Sequence, residues 1–303
     1  MKSKEVFFQR IRIDALMLLI AIIWGSAFSA QQMASKTVGP FMVLGLRFSG
    51  AALLLLCLTR FKIILPRNYF WKTVLAGCLL FSASAFQQIA LSISAVGNAG
   101  FITGMYVIFI PIFLWLVWKE KFKWNVWVSV ALVVIGLYLL TNSGSTRFGL
   151  GDLFLLICAI LYALQMITLS EIVRHANPLH VAIVQFLISG IAGLFVGVVF
   201  EENSLQAIQV AWMPLAYITL FSTAIAYTLQ GVAQKTANPT DAAIFLSMES
   251  VFAAIFGVII LKERFSVFQI IGAILMFAAM ILSQLTFNSK RNPAKVEDRS
   301  VFE

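Results

Sequence analysis

Long apolar runs, separated by short polar stretches, fill nearly the whole chain. In a bilayer every backbone N–H and C=O group needs a partner within the protein, so apolar runs of about 20 residues fold as helices. The composition agrees, because 61% of the 303 residues are hydrophobic and only 12% are charged. We therefore predict an all-α membrane protein with ten transmembrane helices. The predicted spans are residues 13–33, 41–59, 73–93, 98–118, 125–141, 152–170, 179–200, 212–234, 241–261 and 267–286.

Lysines and arginines between the apolar runs set the expected orientation. With the N-terminus inside the cell, 17 of the 22 basic residues fall on the cytoplasmic side and four on the other side, while Arg47 lies within a span. Cytoplasmic loops of membrane proteins carry such an excess. We expect a multi-pass protein of a bacterial-type inner (plasma) membrane with both termini in the cytoplasm. The loop at Glu120 is then cytoplasmic and the loop at Glu263 periplasmic.

The two halves of the chain repeat each other. A shift of 138 residues brings Asp14 onto Asp152, and a shift of 143 residues brings Glu120 onto Glu263. Because each half has five spans, an odd number, the second copy enters the membrane upside down, as in many secondary transporters. We predict two inverted five-helix repeats. The expected units are a first repeat at 13–141, a second repeat at 150–286 and a cytoplasmic polar tail at 287–303.

Four stretches of the chain carry a family resemblance. They read "IIWGSAFSAQQMA", "LGLRFSGAALLLL", "NAGFITGMYVIFIPIFLWLVWKEKF" and "DAAIFLSMESVFAAIFGVIILKERFSVFQIIGAILM". In them the chain resembles the EamA-type ten-helix exporters of the drug/metabolite transporter superfamily, although many members have proline where this chain has Ser250. The resemblance implies a central cavity, lined by helices 1, 3, 4, 6, 8 and 9 and opened alternately to either side. It also implies export of amino acids or related metabolites.

One acidic residue, Glu249, interrupts the apolar run at 241–261. At 1.5 Å per residue it lies about 12 Å into that span. An ionised carboxylate at this depth costs at least ~2.5 kcal/mol, so it has to face protein or water. We interpret Glu249 as a substrate contact or a proton-coupling group; the alternative is a structural pair with Arg47, about 10 Å into the second span. For Arg47 a packing or bridging role is favoured over anion recognition.

Aromatic and amide side chains complete the predicted site. Trp24 matches Tyr162 in the repeat, and Tyr106 matches Glu249. Aromatic faces can hold cationic or planar ligands, and amides can orient polar groups, but both kinds of side chain also serve in ordinary helix packing. The candidate substrate-binding or coupling residues are Glu249, Tyr106, Trp24, Tyr162, Tyr227, Gln88, Gln165 and Gln230, with Gln87 as a further amide.

Other chemistries are not indicated by the sequence. No phosphate-binding loop of the form G-x-x-x-x-G-K-[ST] occurs, and His175 and His180 do not have the spacing of a catalytic metal site. We expect no enzyme activity, no cofactor or metal, and no nucleic-acid partner.

The prediction is a secondary active transporter that exports a small metabolite by alternating access. Its expected partners are the small-molecule substrate, the lipid bilayer and, through Glu249, protons. Two alternatives stay open, an exporter of cationic drugs and a membrane sensor or scaffold that transports nothing.

Overall fold

The computed structural model describes residues 2–93, 96–141, 149–261 and 266–285, and these ranges contain helices and short turns. The predicted tail at 287–303 and the loop at Glu263 lie outside the described residues. In chain order the helices are α1 (Lys2–Ser35), α2 (Pro40–Leu58), α3 (Arg67–Ile93), α4 (Val96–Gly104), α5 (Tyr106–Trp118), α6 (Trp124–Thr141), α7 (Leu150–Val173), α8 (Pro178–Phe200), α9 (Leu205–Val210), α10 (Trp212–Tyr217), a π-helical segment (Ile218–Tyr227), α11 (Thr228–Gln234), α12 (Pro239–Leu246), α13 (Glu249–Leu261) and α14 (Val267–Leu285).

Seven helices of the described part are long and apolar enough to cross a bilayer. Three further apolar helices are shorter, with 10–17 residues each. The expected all-helical membrane class is therefore confirmed. The seven long helices are Ile11–Ser35, Pro40–Leu58, Arg67–Ile93, Leu150–Val173, Pro178–Phe200, Trp212–Gln234 and Pro239–Phe256, and the shorter ones are Ile102–Trp118, Trp124–Leu139 and Val267–Leu282.

Two of the predicted spans are broken instead of continuous. The first break lies at Met105, between α4 and α5, and the second at Ser247 and Met248, between α12 and α13. At both breaks the backbone tightens: the Met105 N–H bonds to the carbonyl three residues earlier at 3.1 Å, and the Met248 N–H does the same at 3.2 Å. Tyr106 and Glu249 are thus the first residues of the helices that follow.

Ser250, which stands where the resembled family often has proline, joins the second break to α4. Its hydroxyl donates to the carbonyl oxygen of Gly100 at 3.0 Å. The helix break before Glu249 therefore forms without a proline.

Small residues allow the helices around the site to approach closely. A Cβ atom on Gly193 of α8 would lie 2.6 Å from the backbone nitrogen of Gly45 in α2. A Cβ atom on Gly25 of α1 would lie 2.7 Å from the carbonyl oxygen of Glu249. Small residues at helix interfaces favour such packing in membranes. The contact at Gly25 brings the start of α13 directly against α1.

A carboxylate tethers the N-terminal end of α2 to the end of α8. Glu201 Oε1 accepts a hydrogen bond from the Phe41 N–H at 2.8 Å, and Oε2 accepts one from the Met42 N–H at 2.9 Å. The first N–H groups of a helix have no partner within the helix and carry partial positive charge. Glu201 supplies both the acceptor and the opposite charge.

Contacts between α3 and α7 lie beyond the other end of α2. Lys72 and Glu171 form an ion pair. The Tyr69 and His175 rings stack with centroids 5.0 Å apart. Two regions of inter-helix polar contact therefore stand at opposite ends of α2.

Candidate functional site

A cavity lies between helices from both halves of the chain. Its volume is about 40 Å³. That space accommodates a few water molecules, whereas ligand pockets are typically several hundred Å³ in volume. The cavity is therefore small in this structure. The lining residues are Trp24, Phe28, Gln31, Arg47, Gln87, Thr103, Tyr106, Tyr162, Met166, Ser222, Tyr227, Gln230 and Glu249.

Most of the predicted site residues meet at this cavity, and two do not. Gln88 turns to α1, where its Nε2 donates to Ser35 Oγ at 2.5 Å. Gln165 turns to α8, where its Nε2 donates to Gln185 Oε1 at 2.9 Å. Both amides connect neighbouring helices instead of lining the cavity. The predicted residues that line it are Trp24, Arg47, Gln87, Tyr106, Tyr162, Tyr227, Gln230 and Glu249.

Glu249 reaches the cavity from the first turn of α13. The side chain is 5% exposed, and its Oε1 accepts a hydrogen bond from the Tyr106 hydroxyl at 3.4 Å. The two residues that match in the repeat therefore contact each other directly. Because 3.4 Å is long for an O–H···O bond, and because a carboxylate offers several acceptor positions, Glu249 keeps capacity for a ligand or a proton.

Arg47 is almost fully enclosed, with 1% of its surface exposed. Its Nη1 donates to Gln31 Oε1 at 2.7 Å, and the guanidinium carbon lies 4.7 Å from the centroid of the Phe48 ring. Among the described residues, no carboxylate oxygen lies within 4.0 Å of its nitrogens. The direct ion pair with Glu249, considered from the sequence, is not formed in this conformation, since Arg47 is oriented towards Gln31.

The π-helical segment holds an aromatic pair in the cavity wall. The Trp24 and Tyr227 ring centroids are 4.9 Å apart, and Trp24 Nε1 donates to the carbonyl oxygen of Ser222 at 3.0 Å. Helices of this type are rare and occur mostly near functional sites. Here the backbone itself orients the tryptophan.

Tyr162 connects three helices through one hydroxyl group. Its oxygen lies 3.1 Å from Ser84 Oγ and 3.1 Å from the Tyr227 hydroxyl, and 3.4 Å from Gln87 Oε1. A phenol has a single donor, so it cannot donate to all three partners at once. This group is therefore suited to exchange partners when a ligand enters.

Five cavity residues were missed by the sequence reasoning. Phe28 and Met166 are apolar and resemble ordinary packing residues, and the other three were missed for different reasons. Gln31 lies seven residues after Trp24, so two helical turns place both on one face of α1, and this spacing was a usable signal. Thr103 lies on α4, three positions before Tyr106, and no sequence pattern marked it as a site residue. Ser222 contributes its backbone carbonyl, which no side-chain pattern reveals.

A cavity with ionisable side chains, lined by apolar helices, is typical of membrane transporters. The chain belongs to the EamA-like transporter family, whose model matches residues 11–142 and again 149–285. The family resemblance of the four sequence stretches is thereby confirmed.

Individual relatives agree with this assignment. An uncharacterized transporter of Archaeoglobus fulgidus is 32% identical over 281 residues, which cover 91% of this chain and 87% of the relative. The S-adenosylmethionine/S-adenosylhomocysteine transporter of Chlamydia muridarum is 24% identical over 274 residues, 82% of this chain and 84% of the relative. A solved crystal structure shares the fold, with a TM-score of 0.76 at 16% identity over 90% of this chain and 96% of that one. The names of the family and of the two relatives indicate transporters, which are not enzymes.

Proposed function

We propose that the chain is a secondary active transporter that exports small metabolites, amino acids or related compounds, by alternating access. The observation that carries this proposal is Glu249, a carboxylate enclosed in a cavity between helices of both halves. Intramembrane ionisable residues are retained for substrate or ion pathways. The naming of one relative as a transporter of S-adenosylmethionine and S-adenosylhomocysteine supports a small metabolite as the substrate.

The proposed architecture is ten spans in two inverted halves, in an inner membrane with both termini cytoplasmic. The double match of the family model supports the duplication. The paired helix breaks at Met105 and Met248 lie 143 residues apart, the same shift that aligns the two halves. Broken helices near the membrane centre are common at transporter binding sites.

Alternating access requires each end of the bundle to open in turn. At one end the Glu201 carboxylate holds α2 to α8. At the other end the Lys72–Glu171 pair holds α3 to α7. We expect these contacts to separate alternately, so that the cavity enlarges toward one side at a time.

The proposal includes proton coupling through Glu249. A carboxylate in the cavity can bind either a proton or a cationic group, and proton entry then displaces the substrate. Tyr106, through its hydroxyl, stabilises the charged form between these steps.

A second candidate, export of cationic drugs, is favoured by the aromatic pair of Trp24 and Tyr227. Ring faces attract cations by up to about 2 kcal/mol when water is excluded. A third possibility, a sensor or scaffold without transport, predicts no flux at all.

Reconstitution tests these candidates together. The purified chain is placed in proteoliposomes, and uptake of labelled amino acids and of an organic cation such as ethidium is measured against protein-free vesicles. Flux of amino acids supports the proposal, and flux of ethidium alone supports the drug alternative. Absence of any flux, in vesicles where the protein is folded, contradicts transport.

A further inference from the structure

Arg47 has hydrogen-bonding capacity that the protein does not use. Nη1 bonds to Gln31, but among the residues that the structure describes Nε and Nη2 have no hydrogen-bond partner. A guanidinium stays charged in proteins and carries five N–H donors. Leaving buried donors without acceptors is costly. The two free nitrogens therefore mark a place for an acceptor that comes from outside the chain.

The two ionisable side chains that line the cavity are separated from each other. Its lining contains one cation, Arg47, and one carboxylate, Glu249. They do not approach within 4.0 Å of each other. A ligand with only a positive charge would pair with Glu249 and leave the Nε and Nη2 donors of Arg47 without acceptors. A ligand with both charges satisfies the two side chains together.

The guanidinium is held in a fixed orientation. Gln31 Oε1 binds one side of the group at 2.7 Å, and Phe48 lies against it with 4.7 Å between the guanidinium carbon and the ring centroid. Adjacent Nε and Nη2 donors of an arginine match the two oxygens of a carboxylate. A fixed guanidinium with these two donors unused is suited to bind that group in a bidentate manner.

We propose that Arg47 is the carboxylate-binding residue of the cavity, so that the transported compound is a zwitterion with a carboxylate at Arg47 and an ammonium group at Glu249. This inference rests on the proposed transport function and narrows its substrate to compounds with a free amino acid group. The Trp24 and Tyr227 rings would border the remainder of the ligand. Gln31 acts as a positioning residue, since it contacts Arg47 and not the carboxylate.

The binding test compares compounds that differ only in the carboxylate. Thermal melting of the purified full-length protein is measured with each of the common free L-amino acids and with the corresponding amino acid amides. We expect at least one free amino acid to raise the melting temperature and its amide to bind about ten- to hundredfold more weakly, the loss expected for a charge-assisted pair. Equal stabilisation by acid and amide, or no stabilisation by any free amino acid, would overturn the proposal.

Two variants then assign the effect to Arg47. Arg47→Lys keeps the charge but loses the planar fork, and Gln31→Glu provides an internal carboxylate that competes for the guanidinium. Both should weaken binding of the free acid about tenfold or more and leave binding of the amide nearly unchanged. Arg67→Gln, at an exposed position of α3, is the control and should bind as the wild type does. Wild-type affinity in both test variants would refute the role of Arg47.

The outcome separates this inference from the proposed function. Flux of ethidium without binding of any free amino acid would leave transport standing and remove the carboxylate site. Binding of free amino acids through Arg47 without any flux would leave the site standing and remove transport.

Discussion

The two ionisable side chains of the cavity are hydrogen-bonded to neutral side chains instead of to each other. Glu249 receives a hydrogen bond from Tyr106, and Arg47 donates one to Gln31. Each side chain therefore keeps part of its hydrogen-bonding capacity. A direct ion pair would have satisfied both charges and left less capacity for a ligand.

The indole of Trp24 gives a first prediction at the scale of single residues. Trp24→Phe keeps a ring beside Tyr227 but removes the hydrogen bond to the Ser222 carbonyl oxygen. We expect the free energy of unfolding to fall by about 1–2 kcal/mol, because a part-buried acceptor loses its partner. Unfolding in mixed micelles measures the change. Trp71→Phe, at a side chain that is 76% exposed, is the control and should have little effect; equal losses in both variants would contradict the assignment.

Sequence patterns predicted the buried charges better than the amides. The depth of Glu249 follows from counting residues in an apolar run, because few orientations are tolerable for a charge there. The four candidate glutamines looked equivalent in the sequence, yet Gln87 and Gln230 line the cavity whereas Gln88 and Gln165 bond to neighbouring helices. An amide can find a partner on any adjacent helix, so its direction depends on packing that the sequence does not display.

At the scale of helices, the breaks and the π-helical segment shape the cavity. The break before α13 places Glu249 in a first helical turn, and the π-helical segment offers the Ser222 carbonyl to Trp24. The sequence predicted the span at 212–234 with both of its ends, but neither the breaks nor the π-helical segment within the spans. The hydrophobicity of a segment indicates that it is buried in lipid or protein. It hardly changes when the backbone hydrogen bonds switch locally from the α-helical spacing to a tighter or wider one.

The tether at the start of α2 gives a prediction for a pair of helices. Glu201→Gln removes the charge that faces two backbone N–H groups of α2. We expect a loss of about 1–2 kcal/mol in the free energy of unfolding, from weaker hydrogen bonds and a lost interaction with the helix dipole. Thermal melting in detergent measures it. Glu202→Gln removes the same charge from the adjacent exposed position and should melt as the wild type does; similar melting of both variants would show that the tether contributes little.

At the scale of the whole molecule, topology is the next prediction. Single cysteines are introduced at Glu120, Glu202 and Glu263 after replacement of Cys57, Cys78 and Cys158. With inverted halves, a membrane-impermeant maleimide added to intact cells should label the cysteines at 202 and 263 and leave the one at 120 unlabelled until the cells are opened. Labelling of positions 120 and 263 from the same side would contradict the inverted repeat.

The central claim is that Glu249 couples proton movement to substrate movement. Glu249→Gln keeps the shape of the side chain and one acceptor for the Tyr106 hydroxyl, but the amide cannot bind and release a proton. Folding and membrane insertion should therefore survive, and counterflow, which needs no net proton movement, should persist.

The most direct measurement is substrate accumulation in proteoliposomes with and without an imposed pH gradient, for wild type and Glu249→Gln at matched reconstitution. The wild type should accumulate substrate against its gradient only when the pH gradient is present. The variant should equilibrate the substrate without accumulating it under either condition. Gradient-driven accumulation by Glu249→Gln at the wild-type rate would contradict the claim and leave Glu249 as a helix-packing residue.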